Sequence, residues 1–239
     1  MRLYFTLLSM FMLSFAKAQQ KPTIYFFPGQ GSDKRIFDSL SIDSSFNKVF
    51  IEYGIPAKNT SLQQFAKQLS VQIDTTQEFI LIGVSLGGMI CCELNEQLHP
   101  KKVIIISSAK NRNELPFRYK FQRILPLYKI FPPRMLHAGA KLLQPIVEPD
   151  RNKNKKVFKS MLYSKNPTYI KRTINMIITW NRKSNTKKNY QVHGTKDHTL
   201  PIRKIKVPDY IVYQGSHMMT LTLHKEISLI LNKIVLGAE

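Results

Sequence analysis

The sequence predicts an α/β fold, in which a mostly parallel β-sheet is covered by helices on both faces. Two observations carry this prediction. The strand-like segments are apolar at every position, which is typical of strands buried on both faces. They also alternate with helical segments, because parallel neighbours must be joined by long crossover connections. The chain has 239 residues, enough for one domain with an insertion.

The predicted elements follow one another in order along the chain. Apolar segments that end at glycine, proline or polar residues predict strands at 23–27, 49–53, 79–82, 103–106, 190–192 and 210–213. Apolar residues at helical spacing predict helices at 61–73, 89–98 and 221–235. Ser32 or Asp33 can cap a further helix that runs to Leu40.

The segment 110–188 has a different pattern and predicts a helical insertion. It contains no convincing strand, and five prolines divide its first part into short pieces. Apolar residues recur at helical spacing in the rest of it, and Asn166 with Pro167 is typical of a helix start. We therefore expect a single domain at 19–239 with a helical insertion at about 110–188.

The first eighteen residues have the pattern of a secretory signal peptide. Arg2 supplies a positive charge, the residues 3–15 are mostly apolar, and Ala16 and Ala18 stand where signal peptidase requires small residues. The apolar run is too short for a membrane-spanning helix, which needs about 20 residues. We expect cleavage near Ala18 and a secreted or periplasmic protein, with an uncleaved N-terminal membrane anchor as the alternative.

The chain is strongly basic, with 36 Lys and Arg residues against 15 Asp and Glu residues and a net charge of +21. Residues 110–190 hold 20 of the basic residues and three acids, so the rest of the chain after Ala18 carries only +2. This concentration favours an anionic membrane or polysaccharide surface as partner, although solvated helix faces explain it too. No motif typical of nucleic-acid binding accompanies it, so we expect no nucleic-acid partner.

Cys91 and Cys92 are the two cysteines of the chain. Adjacent residues of a helix diverge by about 100°, so we expect buried free thiols rather than a disulfide. No His and Cys cluster has metal-ligand spacing, and the sequence implies no metal or cofactor.

The segment Gly83-Val84-Ser85-Leu86-Gly87 matches G-x-S-x-G, in which a serine lies on a sharp turn between a strand and a helix. Small residues on either side allow the turn to be tight, so the Ser85 hydroxyl projects above the sheet edge. The turn aims the backbone N–H of Leu86 at the same place. A serine hydroxyl needs an adjacent base to act as a nucleophile, and that base needs an orienting acid.

His217 is the predicted base, because it follows the last predicted strand in a loop that can turn its ring toward Ser85. The other histidines after the insertion fit less well. His193 precedes the candidate acid, His198 is adjacent to it, and His224 lies in the closing helix.

Asp197 is the predicted acid, because it follows a predicted strand and lies 20 residues before His217. Asp209 is the alternative, but it begins the last strand and would lie at the opposite end of the sheet. The acid holds the imidazole in the required tautomer. The loop after the first strand is expected to complete an oxyanion hole, with the N–H of Gln30 beside that of Leu86.

These motifs, in this order, resemble the α/β-hydrolase family over nearly the whole chain after Ala18. The matching pieces are Pro-Gly-Gln-Gly at 28–31, Gly-Val-Ser-Leu-Gly-Gly at 83–88, His-Gly-Thr-Lys-Asp at 193–197 and Gly-Ser-His at 215–217. The resemblance implies an α/β-hydrolase sheet, a triad of Ser85, Asp197 and His217, and a helical lid at 110–188. Many members have His-Gly where this chain has Pro28-Gly29, and the connection after Asp197 is short for an outer helix.

The resemblance implies a secreted serine hydrolase, carboxylesterase-like or lipase-like, that cleaves a small-molecule or lipid ester through an acyl-enzyme on Ser85. Thioesters and amides are further options. An acyltransferase with the same triad and a non-catalytic binding protein on this scaffold are the alternatives. Four apolar residues of the insertion could contact a hydrophobic substrate, although residues at helical spacing also serve packing: Phe117, Phe121, Met135 and Trp180.

Overall fold

The computed structural model describes residues 21–148 and 150–237. The predicted signal peptide at 1–18 lies outside the described residues. Six strands form one sheet in which every neighbouring pair is parallel, in the order β2-β1-β3-β4-β5-β6. The strands are β1 Thr23–Phe27, β2 Asn47–Phe50, β3 Phe79–Val84, β4 Lys102–Ile106, β5 Tyr190–Gly194 and β6 Tyr210–Val212.

The helices of the described residues cover both faces of this sheet. They are α1 Leu62–Leu69, α2 Leu86–Gln97, α3 Phe117–Ile124, α4 Pro133–Val147, α5 Lys155–Tyr163, α6 Pro167–Thr179, α7 Met219–Thr222 and α8 His224–Leu236. None of the described helices is long and apolar enough to cross a membrane. The four helices from α3 to α6 lie between β4 and β5, and we call residues 110–188 the helical segment.

The core has two halves because successive side chains of a strand point to opposite faces. Tyr25 and Phe27 of β1 pack with α1, α2 and part of α6 on one face. Ile24 and Phe26 pack with α7, α8 and part of α5 on the other. All six residues of β3 are buried. The predicted parallel sheet covered on both faces is therefore confirmed.

Cys91 and Cys92 are fully buried free thiols in α2, as predicted. Burial raises the pKa of both thiols, which makes them unreactive packing residues.

Two predicted elements differ in the structure. The helix predicted to run to Leu40 is a single 3₁₀ turn at Lys34–Phe37, with Asp33 as its N-cap. The strand predicted at 49–53 is β2, which ends at Phe50 opposite Phe26. Among the described residues its one neighbour is β1, which ends at Phe27. The pairing therefore stops after the Ile51 N–H, which donates to the carbonyl of Phe26 at 2.9 Å.

Candidate active site

Ser85 lies on the sharp turn between β3 and α2, with φ +54° and ψ −118°. This conformation is sparsely populated for a residue with a side chain and costs about 1–3 kcal/mol. The surrounding backbone holds it in place. The Ser85 N–H donates to the carbonyl of Ile106 at 3.0 Å, and the Ser108 hydroxyl donates to the carbonyl of Ser85 at 2.6 Å.

Two glycines make this turn possible. A Cβ on Gly83 would lie 2.4 Å from backbone atoms of Gly87. A Cβ on Gly87 would lie 2.1 Å from the carbonyl oxygen of Phe27 at the end of β1. Because backbone atoms fill the space where a Cβ would lie, the two outer positions of G-x-S-x-G must be glycine in this chain.

The structure brings Ser85, His217 and Asp197 into one hydrogen-bonded chain. The Nε2 atom of His217 lies 2.9 Å from Ser85 Oγ, and its Nδ1 atom lies 2.8 Å from Asp197 Oδ2. The other carboxylate oxygen of Asp197 accepts from the N–H groups of Thr199 at 2.8 Å and Leu200 at 2.7 Å. Each residue follows the carboxyl end of a strand, β3, β5 or β6, and parallel strands present these ends at one edge.

The electrostatics of this chain favour a basic imidazole. Burial lowers the pKa of His217, but the charge and the hydrogen bond of Asp197 raise it. The net pKa of His217 lies above its ordinary value, in spite of an opposing contribution from Arg118. Such a base accepts the proton of a serine hydroxyl more readily than a free imidazole does.

The alternative acid lies elsewhere. Asp209 precedes β6, accepts a hydrogen bond from the backbone N–H of Gln191, and lies 3.6 Å from the ammonium groups of Lys110 and Lys188. The structure therefore places Asp209 in a set of ion pairs at the opposite end of the sheet from Ser85.

The other histidines of this part of the chain do not reach Ser85. His198 and His224 each contact a main-chain carbonyl, of Ile146 and of Leu221 respectively. His193 is closer to the site than sequence reasoning expected. Its Nε2 atom lies 2.7 Å from the carbonyl of Leu200 and 3.5 Å from Asp197 Oδ2.

His193 therefore braces the loop that carries Asp197. Burial lowers its pKa, although Asp197 opposes this shift, so His193 is held as a neutral imidazole. Its position four residues before Asp197, at the end of β5, is the sequence signal that could have identified it.

Two backbone N–H groups are available beside the hydroxyl of Ser85. Among the described residues, neither the N–H of Gln30 nor that of Leu86 donates a hydrogen bond to the protein. The Gln30 side chain donates to Thr173 Oγ1 at 2.8 Å, which fixes the loop. A Cβ on Gly29 would lie 3.3 Å from Ser85 Cβ, so the loop packs directly against the serine. This arrangement suits an oxyanion hole.

Ser85 and His217 open into a cavity of about 290 Å³ beneath the helical segment. Most of its wall is apolar, and the apolar side chains include Met89, Leu143, Val147, Phe158, Ile177 and Leu200. Two ionisable side chains also line the cavity: Glu148, which is buried, and Arg118, which lies exposed at the rim. The cavity thus offers space for an apolar group next to the hydroxyl.

The four predicted substrate-contacting residues do not line this cavity. Trp180 is buried in the core, where its indole N–H donates to Glu93 Oε1 at 2.7 Å. Phe117, Phe121 and Met135 face solvent. Helical spacing identified apolar stripes on α3 and α4 but not the direction in which they point. Leu143 and Val147 of α4 line the cavity instead, although Leu143 remains 53% exposed.

A larger cleft of about 480 Å³ lies away from Ser85, between α4, α6 and the loop before α1. Its lining includes Lys58, Lys129, Lys171 and Arg172 but no nucleophile paired with a base. Among the described residues, no group of three or more His, Cys, Asp or Glu side chains is placed to hold a metal ion.

Comparisons with models of protein families and with curated protein sequences give no match. Solved structures do match over most of the chain. An esterase from Thermogutta terrifontis has a TM-score of 0.63 at 11% identity and covers 90% of both chains. The enol-lactonase from Burkholderia xenovorans LB400 has a TM-score of 0.66 at 13% identity, covering 90% of this chain and 92% of its own.

A lipase-esterase related protein from Clostridium acetobutylicum gives the same result, with a TM-score of 0.62 at 14% identity over 90% of this chain and 95% of its own. At such identities the likeness concerns the fold, and it agrees with the sheet and helices described above.

Proposed function

We propose that this chain, which has the α/β-hydrolase fold, is a serine hydrolase that cleaves a carboxylic ester through an acyl-enzyme on Ser85. The observation that carries the proposal is the hydrogen-bonded chain from Ser85 through His217 to Asp197, beside two backbone N–H groups that have no partner among the described residues. A binding protein on this scaffold would have no need of a strained serine aligned with a basic imidazole. The site is therefore equipped for acyl transfer.

The geometry supports a two-step reaction. Ser85 Oγ attacks the ester carbonyl carbon while its proton passes to His217 Nε2, and the N–H groups of Gln30 and Leu86 hold the resulting oxyanion. The bond to the alcohol oxygen then breaks, and that oxygen takes the proton from His217. Water attacks the acyl-serine in the same way, which releases the carboxylic acid and restores the Ser85 hydroxyl.

The substrate class follows from the wall of the cavity. Its apolar side chains suit a hydrophobic acyl group or a hydrophobic alcohol. The solved structures of this fold reported above are described as an esterase, an enol-lactonase and a lipase-esterase related protein, which supports an ester bond over an amide. An acyltransferase would use the same acyl-enzyme, and adding an alcohol acceptor to the assay separates the two, since a transferase forms the new ester in preference to the acid.

Labelling with a fluorophosphonate probe tests the proposal. We expect the wild-type protein to be labelled and the Ser85→Ala variant to be unlabelled. Ser228→Ala is a matched control, because Ser228 lies in α8, where its hydroxyl donates to the carbonyl of His224. A folded wild-type protein that resists the probe and hydrolyses no acyl ester would refute the proposal and favour the binding protein.

We also propose that the helical segment docks on an anionic lipid surface. Of the large apolar side chains exposed among the described residues, eleven lie between Phe117 and Ile146. Six basic residues and no acid lie in the same stretch of sequence. We call 117–146 the apolar–basic surface. Exposed apolar side chains insert into the bilayer interface, and the basic ones pair with lipid phosphates at about 1 kcal/mol each. A polysaccharide would use the basic residues alone.

Sedimentation with phosphatidylglycerol vesicles tests this docking. Ile124 and Leu142 are 86% and 78% exposed, and changing both to Asp is expected to lower vesicle binding more than tenfold. Leu229→Asp is the matched control, because Leu229 is 73% exposed in α8. We expect it to bind as the wild type does. Binding that is insensitive to salt, or equal for phosphatidylcholine vesicles, contradicts the proposal, and binding to an anionic polysaccharide that survives the double substitution favours that partner.

Export from the cytoplasm is proposed on the pattern of residues 1–18 alone. The mass of the protein recovered from its native host tests it, because cleavage after Ala18 leaves Gln19 as the first residue. A chain that retains its first eighteen residues in the membrane fraction supports the N-terminal anchor instead.

A further inference from the structure

Glu148 is a buried carboxyl group in the wall of the cavity that contains Ser85 and His217. It follows α4 directly, and its backbone N–H donates to the carbonyl of Gln144 at 2.9 Å, so the end of the helix fixes its position. Only 6% of the residue is exposed. Its Oε2 atom is buried and has no hydrogen-bond partner among the described residues.

The three other Asp and Glu residues that are buried among the described residues have hydrogen-bonded carboxylates. Glu93 accepts from Trp180 and Arg182. Glu114 accepts from the N–H of Lys110 and from the amide of Gln191. Asp197 accepts from two N–H groups and from His217, as described above. Glu148 differs from these three. Both carboxylate oxygens of Asp150 are also buried without a hydrogen-bond partner among the described residues, but Glu148 lines the cavity that contains Ser85 and Asp150 does not.

A charged carboxylate without a partner in an apolar wall loses its hydration and costs free energy, and protonation removes that cost. Burial raises the pKa of Glu148 to about 8, reinforced by Asp197 and Asp150 and opposed by His217. At neutral pH the group is therefore mainly a carboxylic acid. In that form it donates one hydrogen bond and accepts others without placing a charge in the cavity.

We propose that Glu148 is a specificity-determining residue that binds an uncharged polar group, a hydroxyl or an amide, within an otherwise apolar ester substrate. The inference rests on the proposed ester hydrolysis at Ser85. The apolar wall disfavours a charged group, because a charge would be taken out of water. Arg118 at the rim also disfavours a cationic substrate. A neutral donor and acceptor satisfies Glu148 without either cost.

Paired p-nitrophenyl esters test the inference. One member of each pair has a plain acyl chain, and the other carries a hydroxyl or an amide at a chosen position along the same chain. We expect at least one polar ester to exceed its plain partner in kcat/KM by about tenfold in the wild type, since a buried polar group without its partner penalises the plain ester. In Glu148→Leu this ratio is expected to fall to about one.

Glu148→Gln serves as the conservative variant, because an amide also donates and accepts hydrogen bonds. We expect it to retain most of the preference. Glu226→Leu removes an exposed carboxyl of α8 and is expected to leave the ratio unchanged. Since only the ratio of two esters is compared, a general loss of folded or active protein in Glu148→Leu does not imitate the expected result.

Two results overturn the inference. The first is a wild-type enzyme that hydrolyses plain esters but prefers no polar one. The second is a preference that survives Glu148→Leu. A wild-type protein that hydrolyses no ester and resists the fluorophosphonate probe is a different outcome, because it removes the proposed function and the inference with it.

Discussion

The sheet edge that carries Ser85 and the helical segment above it are built in different ways. At the edge, backbone segments approach so closely that a Cβ on Gly87 would overlap the carbonyl of Phe27. In the helical segment, α3 has no buried residue, and α4 buries only His137 and Gln144. Both side chains contact the main chain of α5. His137 Nε2 lies 2.8 Å from the carbonyl oxygen of Leu162, and the Gln144 amide donates to the carbonyl of Phe158.

This difference separates two tasks. Catalysis requires atoms held within a fraction of an ångström, and closely packed strand ends supply that rigidity. Binding to varied substrates and to a surface requires exposed side chains on elements that move at low cost. We therefore expect substitutions at the edge to affect the chemical step or the fold, and substitutions in the helical segment to affect specificity, docking and local stability.

The largest expected effect is that of Asp197→Asn. An asparagine at this position favours the wrong tautomer of His217 and has no negative charge to stabilise the imidazolium. We therefore expect kcat to fall about 10⁴-fold. Asp209→Asn is the matched control, because Asp209 lies at the other end of the sheet. It is expected to stay within twofold of the wild type. Steady-state kinetics with one activated ester measure both variants, and a larger loss in Asp209→Asn would reverse the assignment of the acid.

Asp197 and Asp209 also show why this edge could be predicted from sequence. Parallel strands present their carboxyl ends at one edge, so the place of a residue before or after an apolar segment decides whether it can reach Ser85. The same logic predicted that His217 and the loop with Gln30 lie at this edge. The tight turn could likewise be predicted from sequence, because it requires glycine at Gly83 and Gly87.

The helical segment was less predictable for a physical reason. Helical spacing defines an apolar stripe, but the direction of that stripe depends on how the helices pack together. Phe117 and Met135 therefore point to solvent and Trp180 into the core, although all three were candidates for contact with the substrate. Glu148 carried no local signal, because its burial depends on contacts between distant parts of the chain.

The second expected effect is the destabilisation caused by Gly87→Ala. The added methyl group meets backbone atoms of Phe27 and Pro28, which no side-chain rotation can relieve. Overpacking of this kind costs about 3 kcal/mol or more. We expect Tm to fall by about 6 °C or more and activity to be lost with it. Thermal unfolding followed by circular dichroism measures the change. An unaltered Tm would show that the sheet edge is not more closely packed than the helical segment.

The third expected effect concerns pH. His217 must be neutral to accept the proton of Ser85, and its pKa is raised above the ordinary 6.5. As pH falls through this raised pKa, kcat/KM is expected to fall about tenfold per unit, so the acidic limb lies above pH 6.5. Loss of the Asp197 charge lowers the pKa, so the residual activity of Asp197→Asn should have its limb at lower pH. An acidic limb at or below pH 6.5 in the wild type contradicts the electrostatic account.

The smallest expected effect is that of Gly139→Ala, which changes the same residue type as Gly87→Ala but in the middle of α4. A Cβ at Gly139 meets nothing within 4 Å, and alanine is the better helix former by about 1 kcal/mol. We expect the substitution to stabilise the protein and to raise Tm by about 2–4 °C, with kcat unchanged. If the helical segment opens before the sheet unfolds, Tm stays constant, and slower proteolysis of the segment reports the gain instead. A loss of stability comparable to that of Gly87→Ala would mean that the segment is packed as closely as the edge, and the division between the two regions would fail.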